Sequence, residues 1–334
     1  MLLQDSLGRP LRDLRISITD RCNFRCTYCM PRESFGPEHV FLAKEEILSY
    51  EEMASVVASL LPLGLTKVRI TGGEPLIRRD LPVFIAMLRD LDSELDIALT
   101  TNAVLLERHA EALFKSGLNR VTVSLDAVNT DLFQSITDST NTPEEIFRGI
   151  ETAQQIGLPV KVNCVIKKGV NDSQIVPLTQ ACIERNITVR FIEFMDVGTT
   201  NNWNLDSVMS GDEMRTILRD HFGPLEPKTS AHPSDVARLW RFANGSTVGF
   251  IESVTKPFCG NCSRARLSAH GSIYTCLFSE KGFDLRGILR FGADKEETAT
   301  IIRDIWTHRE DRYSELRTQL KEKRQPVEMS FIGG

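Results

Sequence analysis

The sequence has no long uninterrupted apolar segment. Its longest apolar stretch covers residues 53–65 and contains Pro62, whereas a membrane-spanning helix needs about 20 apolar residues. The amino terminus also lacks a basic segment followed by an apolar one, which is the pattern of a secretory signal peptide. We therefore predict a cytoplasmic protein that does not associate with membranes.

Positive charge is in slight deficit, since 40 lysines and arginines face 45 aspartates and glutamates and the net charge is −5. A surface that binds nucleic acid needs an excess of positive charge, so we expect no nucleic-acid partner, and any basic site must be local. Apolar residues (41%) and charged residues (25%) lie near globular averages, which excludes a disordered or collagen-like chain. The 334 residues suffice for two domains or for one large α/β unit with an addition.

Short β-branched segments alternate with helical patterns as far as residue 221. The predicted strands are residues 14–19, 67–71, 97–101, 120–125, 160–166 and 188–194. The predicted helices cover residues 44–61, 80–91, 105–116, 143–156, 173–185 and 211–221. Six successive strand–helix units indicate an α/β fold with a parallel sheet. No GxGxxG motif follows the first strand, which weighs against a Rossmann fold, but periodicity alone does not separate an open sheet from a partial barrel.

The composition changes after residue 221. Residues 221–235 are rich in glycine and proline and are predicted to form a linker. Two antiparallel hairpins and a charged helical segment are predicted beyond it, over residues 238–254, 267–276 and 284–322. We therefore divide the chain into residues 1–222 and residues 223–334.

Six of the eight cysteines form two groups of three. Cys22, Cys26 and Cys29 have the spacing C-x3-C-x2-C in the loop after the first predicted strand. Thiolates are soft ligands that bind zinc or iron–sulfur clusters. Zinc needs a fourth ligand, which is not adjacent in sequence, whereas a [4Fe–4S] cluster with three protein ligands keeps one iron open. The alternative interpretation of this first trio is a zinc site whose fourth ligand comes from a distant part of the sequence.

The second trio is Cys259, Cys262 and Cys276, the last of them at the end of the second predicted hairpin. Each trio could hold its own cluster, or all six cysteines could bind zinc together. The remaining two, Cys164 and Cys182, lie in apolar periodic segments and are predicted to be buried, inert thiols.

These motifs resemble the radical S-adenosylmethionine superfamily. Its signature is the C-x3-C-x2-C loop with an aromatic residue before the last cysteine, here Tyr28, followed by Gly72-Gly73-Glu74-Pro75 at the end of the second strand. Within it, the chain resembles the GTP cyclases of molybdenum cofactor biosynthesis over nearly its whole length. That resemblance is carried by residues 14–17, 69–75, 99–102, 123–126, 161–163, 190–196 and 264–266, and by the terminal Gly333-Gly334.

The resemblance implies a partial (β/α)6 TIM-type barrel whose mouth is covered by the C-terminal hairpin region and helices. It implies two [4Fe–4S] clusters, one on each trio, and S-adenosylmethionine (SAM) at the open iron of the first. The SAM contacts that it implies are Tyr28, Gly73, Ser124 and Met195. In such enzymes the 5′-deoxyadenosyl radical takes hydrogen from the ribose C3′ of GTP, and C3′ then attacks guanine C8. The product is (8S)-3′,8-cyclo-7,8-dihydroguanosine 5′-triphosphate, an early intermediate of molybdopterin biosynthesis.

Arginines recur in or beside the predicted strands. A buried arginine needs an anionic partner to offset its desolvation, and several that converge on one cavity suit a triphosphate. The resemblance assigns GTP contacts to Arg15, Arg69, Thr100, Lys161, Arg264 and Arg266, and we add Arg190. It assigns catalytic roles to Arg264 and Arg266 together with the first cysteine trio.

The motifs fall at or near the carboxyl ends of successive predicted strands, the edge at which parallel α/β folds build their sites. Further implied features are an electron donor, transfer of the product to the next enzyme of the pathway, entry of the diglycine tail into the site, and a homodimer. Two other functions stay open on the residues alone. One is a radical enzyme that modifies a peptide, and the other is a zinc-binding module.

Overall fold

The computed structural model describes residues 3–229, 235–317, 319 and 325–333. Twelve strands form one sheet. They are β1 (Asp13–Ser17), β2 (Lys67–Thr71), β3 (Asp96–Thr101), β4 (Arg120–Ser124), β5 (Val160–Ile166), β6 (Thr188–Glu193), β7 (Leu225–Lys228), β8 (Arg238–Phe242), β9 (Thr247–Ile251), β10 (Arg264–Leu267), β11 (Ser272–Tyr274) and β12 (Phe283–Asp284). The order across the sheet is β12-β11-β10-β1-β2-β3-β4-β5-β6-β9-β8-β7.

Helices connect and flank these strands. They are α1 (Tyr50–Leu60), α2 (Leu81–Leu91), α3 (Leu106–Lys115), α4 (Thr130–Thr137), α5 (Pro143–Gln155), α6 (Ile175–Glu184), α7 (Gly211–Phe222), α8 (Arg286–Arg290), α9 (Lys295–Thr307), α10 (Tyr313–Leu316) and α11 (Met329–Ile332). Among the described residues, no helix combines the length and the apolar character that crossing a membrane requires.

The first six strands are neighbours in chain order, and every adjacent pair of them is parallel. Each parallel step is bridged by at least one helix, as a parallel connection requires. The α/β class predicted from the strand–helix alternation is therefore confirmed.

Side chains alternate between two very different faces of these strands. In β1, Leu14 and Ile16 are fully buried on the side opposite Arg15, and in β2 Val68 and Ile70 are fully buried opposite Arg69. The apolar face packs into the main hydrophobic core with the helices. The other face is left to polar and charged side chains, which is the arrangement of a binding interior.

Local signals account for several helix boundaries. Thr142 and Ser210 form capping boxes with the glutamates three residues later, at the starts of α5 and α7. Ser49 does the same for α1, so the predicted helix over residues 44–61 divides into a short 3₁₀ turn (Lys44–Glu46) and a helix that begins at Tyr50.

The sequence pattern missed α4, β7, β12 and α11. Helix α4 is short and starts from Asn129, whose side chain accepts a hydrogen bond from the Leu132 N–H. Strand β7 lies inside the predicted linker, where it pairs with β8 at the edge of the sheet. Pro227 is tolerated there because an edge strand has one unpaired side. The predicted helical segment 284–322 contains α8, α9 and α10, and residues 318 and 320–322 fall outside the described residues.

The region after residue 223 extends both ends of the parallel sheet. Strand β9 pairs in parallel with β6, and β10 pairs in parallel with β1. Beyond them the pairs β8–β9, β7–β8, β10–β11 and β11–β12 are antiparallel. The register places Arg266 beside Arg15 and Arg15 beside Arg69, so the polar face continues without a break into the later region.

Candidate active site

One cavity lies against the polar face and the carboxyl ends of the strands. Every predicted site residue except Lys161 lines it: Arg15, Cys22, Cys26, Tyr28, Cys29, Arg69, Gly73, Thr100, Ser124, Arg190, Met195, Cys259, Cys262, Arg264, Arg266 and Cys276. A separate open groove along α8 and α9, beside the exposed Phe291, contains none of these residues. The two cysteine trios therefore open into the same space.

The first trio lies in the loop after β1. Cys22, Cys26 and Cys29 are half-buried free thiols. Burial raises the pKa of Cys22 and of Cys29 to about 12, and burial with the two neighbouring thiols raises that of Cys26. Three thiols that oppose one another's ionisation become thiolates when a metal centre supplies the balancing charge.

The second trio comes from the loop before β10 and the segment after β11. Burial opposes ionisation of Cys262, but the charges of Arg264 and Arg309 lower its pKa to about 6. Burial raises the pKa of Cys276 to about 11. The two trios thus share a donor set but differ in their surroundings.

The donor chemistry of the first trio fits a [4Fe–4S] cluster. Three soft thiolates can ligate three irons and leave the fourth iron free for another ligand. Within the described ranges, no three His, Cys, Asp or Glu side chains are arranged to hold a single metal ion. Thiolates on one zinc ion must lie close together, because Zn–S bonds are only about 2.3 Å long, whereas the thiolates of a cluster bind separate irons.

Two buried carboxylates lie at the first trio. Glu74 accepts hydrogen bonds from the Leu76 N–H (2.9 Å), the Thr101 hydroxyl (2.7 Å) and the Asn102 N–H (2.7 Å). Burial raises its pKa to about 7, and its charge raises the pKa of Cys22. This end of the cavity is therefore acidic.

Asp126 is the second of these carboxylates. It accepts a hydrogen bond from the Tyr28 hydroxyl at 2.5 Å and one from the Val165 N–H at 2.7 Å. Burial raises its pKa to about 6. Asp126 ended a motif in the sequence, but no role was assigned to it there, because only the fold brings it to Tyr28.

The arginines lie toward the second trio and deeper in the sheet. Arg69 donates to the hydroxyls of Thr100 (3.0 Å) and Thr122 (3.1 Å). Arg190 donates to the Asn163 side-chain oxygen (2.8 Å) and to Thr122 (3.3 Å). These contacts are to neutral groups, so they leave the positive charges in place.

Crowding of like charges shows in the arginine pKa values. Burial, together with Arg69 and Arg264, lowers the pKa of Arg15 to about 9, and Asp13 offsets this only in part. Burial and Arg190 lower the pKa of Arg69 to about 10, and burial also lowers that of Arg266. The free protein holds this cationic cluster at a cost that an anionic ligand would relieve.

Lys161 departs from the expectation that it lines the site. It lies two residues before Asn163 on the same face of β5, nearer the amino ends of the strands. It is half-buried, and burial together with Arg190 lowers its pKa. It faces the same interior one layer deeper and is not among the residues that line the cavity, so its contact with GTP stays a prediction.

Gly72 and Gly73, which follow β2, allow the loop that carries the first cysteine trio to pack closely against the end of that strand. The Gly73 N–H donates to the Thr19 carbonyl at 2.7 Å. A Cβ at Gly73 would lie 2.2 Å from the Arg21 carbonyl oxygen, and one at Gly72, where φ is +155°, would lie 2.6 Å from that of Thr19. Only glycine permits this approach, which sets the loop bearing Cys22 against the end of β2.

The carboxyl-terminal segment reaches the cavity. Met329 and Ser330 of α11 line it, and a guanidinium N–H of Arg266 donates to the Gly333 carbonyl. Glu328 anchors the segment by accepting a hydrogen bond from the Thr199 N–H at 2.8 Å. Gly334, the second residue of the diglycine tail, lies outside the described residues.

Arg309, whose guanidinium lies beside the second trio, was not identified from the sequence. Arg309 follows α9 and donates to the Cys262 sulfur at 3.3 Å. It belongs to a charged helical segment without a motif, so no local signal singles it out. Its position depends on a contact across 47 residues of sequence.

Replacing Glu74 by glutamine should remove a pH dependence from the stability of the metal-free protein. Because burial raises the Glu74 pKa from 4.5 to about 7, the folded state keeps a proton between these values that the unfolded state has lost. The stability from this group is complete below its unfolded pKa and is lost as the pH rises through 7, by at most about 3 kcal/mol. Urea unfolding is measured at a pH below 4.5 and at a pH above 7. The free energy of unfolding should decrease less between these two conditions in Glu74→Gln than in the unsubstituted protein.

The control for this prediction is Glu144→Gln, at an exposed position in the first turn of α5. It should lose as much stability across the window as the unsubstituted protein does. Equal losses in both variants would show that Glu74 titrates normally.

Comparison with known proteins places these features in a family. A family model described as Radical SAM superfamily matches residues 16–182, and one described as Molybdenum Cofactor Synthesis C matches residues 187–315. The GTP 3′,8-cyclase of Staphylococcus aureus strain JH9 is 47% identical over 339 residues, which cover 99% of each chain. The enzyme of strain Newman matches equally well.

Solved structures show the same fold at low identity. Streptococcus suis SuiB bound to S-adenosylmethionine is 16% identical, with a TM-score of 0.62 over 93% of this chain and 68% of that one. The structure of anSMEcpe with bound AdoMet is 18% identical, with a TM-score of 0.56 over 85% and 81%. At such identities the likeness concerns the fold alone.

The fold, the cysteine loop and these matches together define a radical S-adenosylmethionine enzyme, a class that binds SAM and a [4Fe–4S] cluster. Its more specific place follows from the relatives that match over the full length. The chain belongs to the GTP 3′,8-cyclase family.

Proposed function

We propose that the protein converts GTP into (8S)-3′,8-cyclo-7,8-dihydroguanosine 5′-triphosphate, an early step of molybdenum cofactor biosynthesis, with GTP held between two [4Fe–4S] clusters. One observation carries the proposal. The two cysteine trios line a single cavity that is acidic at the first trio and strongly basic toward the second. Such a cavity suits a cationic cofactor at one end and a polyanionic substrate at the other.

SAM occupies the acidic end. SAM would bind the open iron of the first cluster through its amino and carboxylate groups, and the buried carboxylates of Glu74 and Asp126 would offset its sulfonium charge. Tyr28, Gly73, Ser124 and Met195 surround it at the ends of their strands. When bound, the first cluster supplies an electron to SAM, and the resulting chemistry joins the ribose C3′ of GTP to guanine C8.

GTP occupies the basic end. The residues that hold it are Arg15, Arg69, Thr100, Arg190, Arg264 and Arg266, with Lys161 adding charge from the layer below. Arginine forks suit phosphate oxygens, and the triphosphate would relieve both the burial of charge and the mutual repulsion that lower the Arg15 pKa. Arg264 and Arg266 also flank the second trio, so they act on the part of GTP nearest the second cluster.

Cys259, Cys262 and Cys276 would hold the second cluster, whose remaining iron would be available to the guanine base. Three ligands without a fourth are what such a site needs. The protein's contribution is to orient the ribose toward SAM and to exclude water while the reactive species exist.

The six parallel strands form a partial (β/α)6 barrel. Arg69 of β2 and Arg190 of β6 both reach Thr122 of β4, which supports a sheet that curves around its polar face. In this proposal residues 1–222 form the barrel, and residues 223–334 supply the second cluster, the hairpins and the helices over its mouth.

The reaction also needs partners. An electron donor reduces the first cluster, and the next enzyme of the pathway receives the product, with a homodimer as the assembly to test. We place the protein in the cytoplasm, because its eight cysteines, all of them among the described residues, form no disulfides, as is usual in reducing compartments.

Anaerobic reconstitution with iron and sulfide tests the proposal. The protein should bind about eight irons per chain. With a reductant, SAM and GTP, it should release 5′-deoxyadenosine and a nucleotide with a new C3′–C8 bond, both identified by mass spectrometry. Cys262→Ser should keep part of the SAM cleavage but make no cyclised nucleotide.

Two outcomes would contradict the proposed function. Full product formation by Cys262→Ser would remove the second cluster from the mechanism. SAM cleavage without any GTP-derived product, together with no GTP binding at low salt, would favour a radical enzyme that acts on another substrate class such as a peptide.

A further inference from the structure

Two arginines outside the cavity lining bind backbone carbonyls of the second cysteine loop. Arg309 donates to the carbonyl oxygen of Cys262 at 2.7 Å, and Arg9 donates to that of Cys259 at 3.0 Å. Both side chains are 1% exposed, and neither lines the cavity. They come from opposite ends of the chain, so the fold itself assembles this support.

Asp5 and Trp306 fix the direction of both guanidinium groups. The fully buried Asp5 carboxylate accepts from Arg9 Nε at 2.6 Å and from Arg309 Nη1 at 3.3 Å. The Arg309 guanidinium lies 4.5 Å from the centre of the Trp306 ring, whose indole N–H donates to the Arg9 carbonyl at 3.1 Å. A planar fork held on several sides keeps one orientation.

The charges of this network do not balance in its interior. Two buried arginines face one fully buried carboxylate, Asp5. The other neighbouring carboxylate, Asp311, lies 3.5 Å from Arg309 Nε, but it is 30% exposed. Buried positive charge in excess is costly without an anion, and a cluster bound by three thiolates is such an anion.

The two arginines differ in their contact with sulfur. Arg309 Nη2 donates to the sulfur of Cys262 at 3.3 Å, whereas the side-chain hydrogen bonds of Arg9 to other described residues go to oxygen atoms. A hydrogen bond to a ligating sulfur favours the reduced cluster, because reduction adds negative charge that the donor stabilises.

We propose that Arg309 is a positioning residue that raises the reduction potential of the second cluster through its hydrogen bond to the Cys262 sulfur. The inference rests on the second cluster of the proposed function. It assigns to Arg309 a role that does not involve contact with GTP or SAM, and it predicts that Arg9, its neighbour in the same network, lacks that role.

The test uses the full chain with the first trio replaced (Cys22→Ala, Cys26→Ala and Cys29→Ala), so that only the second cluster gives a signal. After reconstitution this protein should hold about four irons, and its midpoint potential is measured by an EPR-monitored redox titration. Adding Arg309→Gln should lower the ratio of reduced to oxidised cluster about tenfold at a given potential, which is about 59 mV for one electron. The exchangeable-proton coupling to the cluster should weaken as well.

Arg9→Gln is the matched control, since Arg9 is equally buried and also binds Asp5 and a carbonyl of the cysteine loop. It should shift the midpoint potential much less than Arg309→Gln does, because it removes a buried charge but no hydrogen bond to the Cys262 sulfur. Arg309→Lys should shift it in the same direction as Arg309→Gln but less, because the ammonium keeps the positive charge but lacks the rigid fork with which Arg309 binds the Cys262 carbonyl and sulfur. If Arg309→Gln fails to bind iron, the midpoint potential of Arg309→Lys tests the proposal instead.

An unchanged midpoint in a loaded Arg309 variant, or an equal shift in Arg9→Gln, would overturn the role of Arg309 alone. If the protein with the first trio replaced by alanine folds but binds no iron, the second cluster of the proposed function is contradicted, and this inference with it.

Discussion

Replacing Cys26 by serine should abolish the cleavage of SAM and leave the fold intact. Cys26 is the middle cysteine of the first trio, and its thiol lies among the thiols of Cys22 and Cys29. A serine hydroxyl is a poor ligand for iron, so the iron content should fall from about eight to about four per chain. The assay measures 5′-deoxyadenosine released from SAM after reduction, and we expect none above the background.

The second cluster should survive in this variant, because its ligands come from a different part of the chain. The matched control is Cys182→Ser, a fully buried thiol of α6 that lies outside both trios. It should lose about 1 kcal/mol of stability but keep its iron and its SAM cleavage. A Cys26→Ser protein that retained all its iron and cleaved SAM would show that the first trio is not the site of cleavage.

Replacing Arg15 by glutamine should weaken GTP binding about 100-fold and at the same time stabilise the protein in the absence of GTP. Arg15 lies between Arg69 and Arg266 in the sheet, and burial together with the charges of Arg69 and Arg264 lowers its pKa to about 9. The value is still above neutral pH, so the charge persists and repels its neighbours. Its removal should raise the free energy of unfolding by about 1 kcal/mol or more.

Two measurements check these opposite effects. Calorimetric titration of the reconstituted protein with GTP gives the affinity, and thermal unfolding without GTP gives the stability. Arg148→Gln, an exposed arginine 3.8 Å from Glu107, is the control and should change neither. A variant at Arg15 that lost stability and kept its GTP affinity would place the charge in a structural role.

Much of the site could be predicted from the sequence because its chemistry is locally encoded. The spacing of Cys22, Cys26 and Cys29 fits in one loop, and the alternation of Arg69 with apolar neighbours puts it on one face of one strand. Lys161 shows the limit of such reasoning. Alternation placed it on the correct face, but its depth depends on how β5 is staggered against its neighbours.

The sequence by itself determined which residues carry the chemistry: two cysteine trios, a glycine-rich strand end and arginines at strand spacing. These features rest on side-chain type and on neighbours within a few residues, which the order of amino acids specifies directly. Only the tertiary structure decided that the two trios share one cavity, because this depends on β10 pairing with β1. The joining of Asp5 and Arg9 to Arg309 is likewise a contact across about 300 residues, and such contacts follow from how the whole sheet and its flanking helices pack rather than from any local pattern.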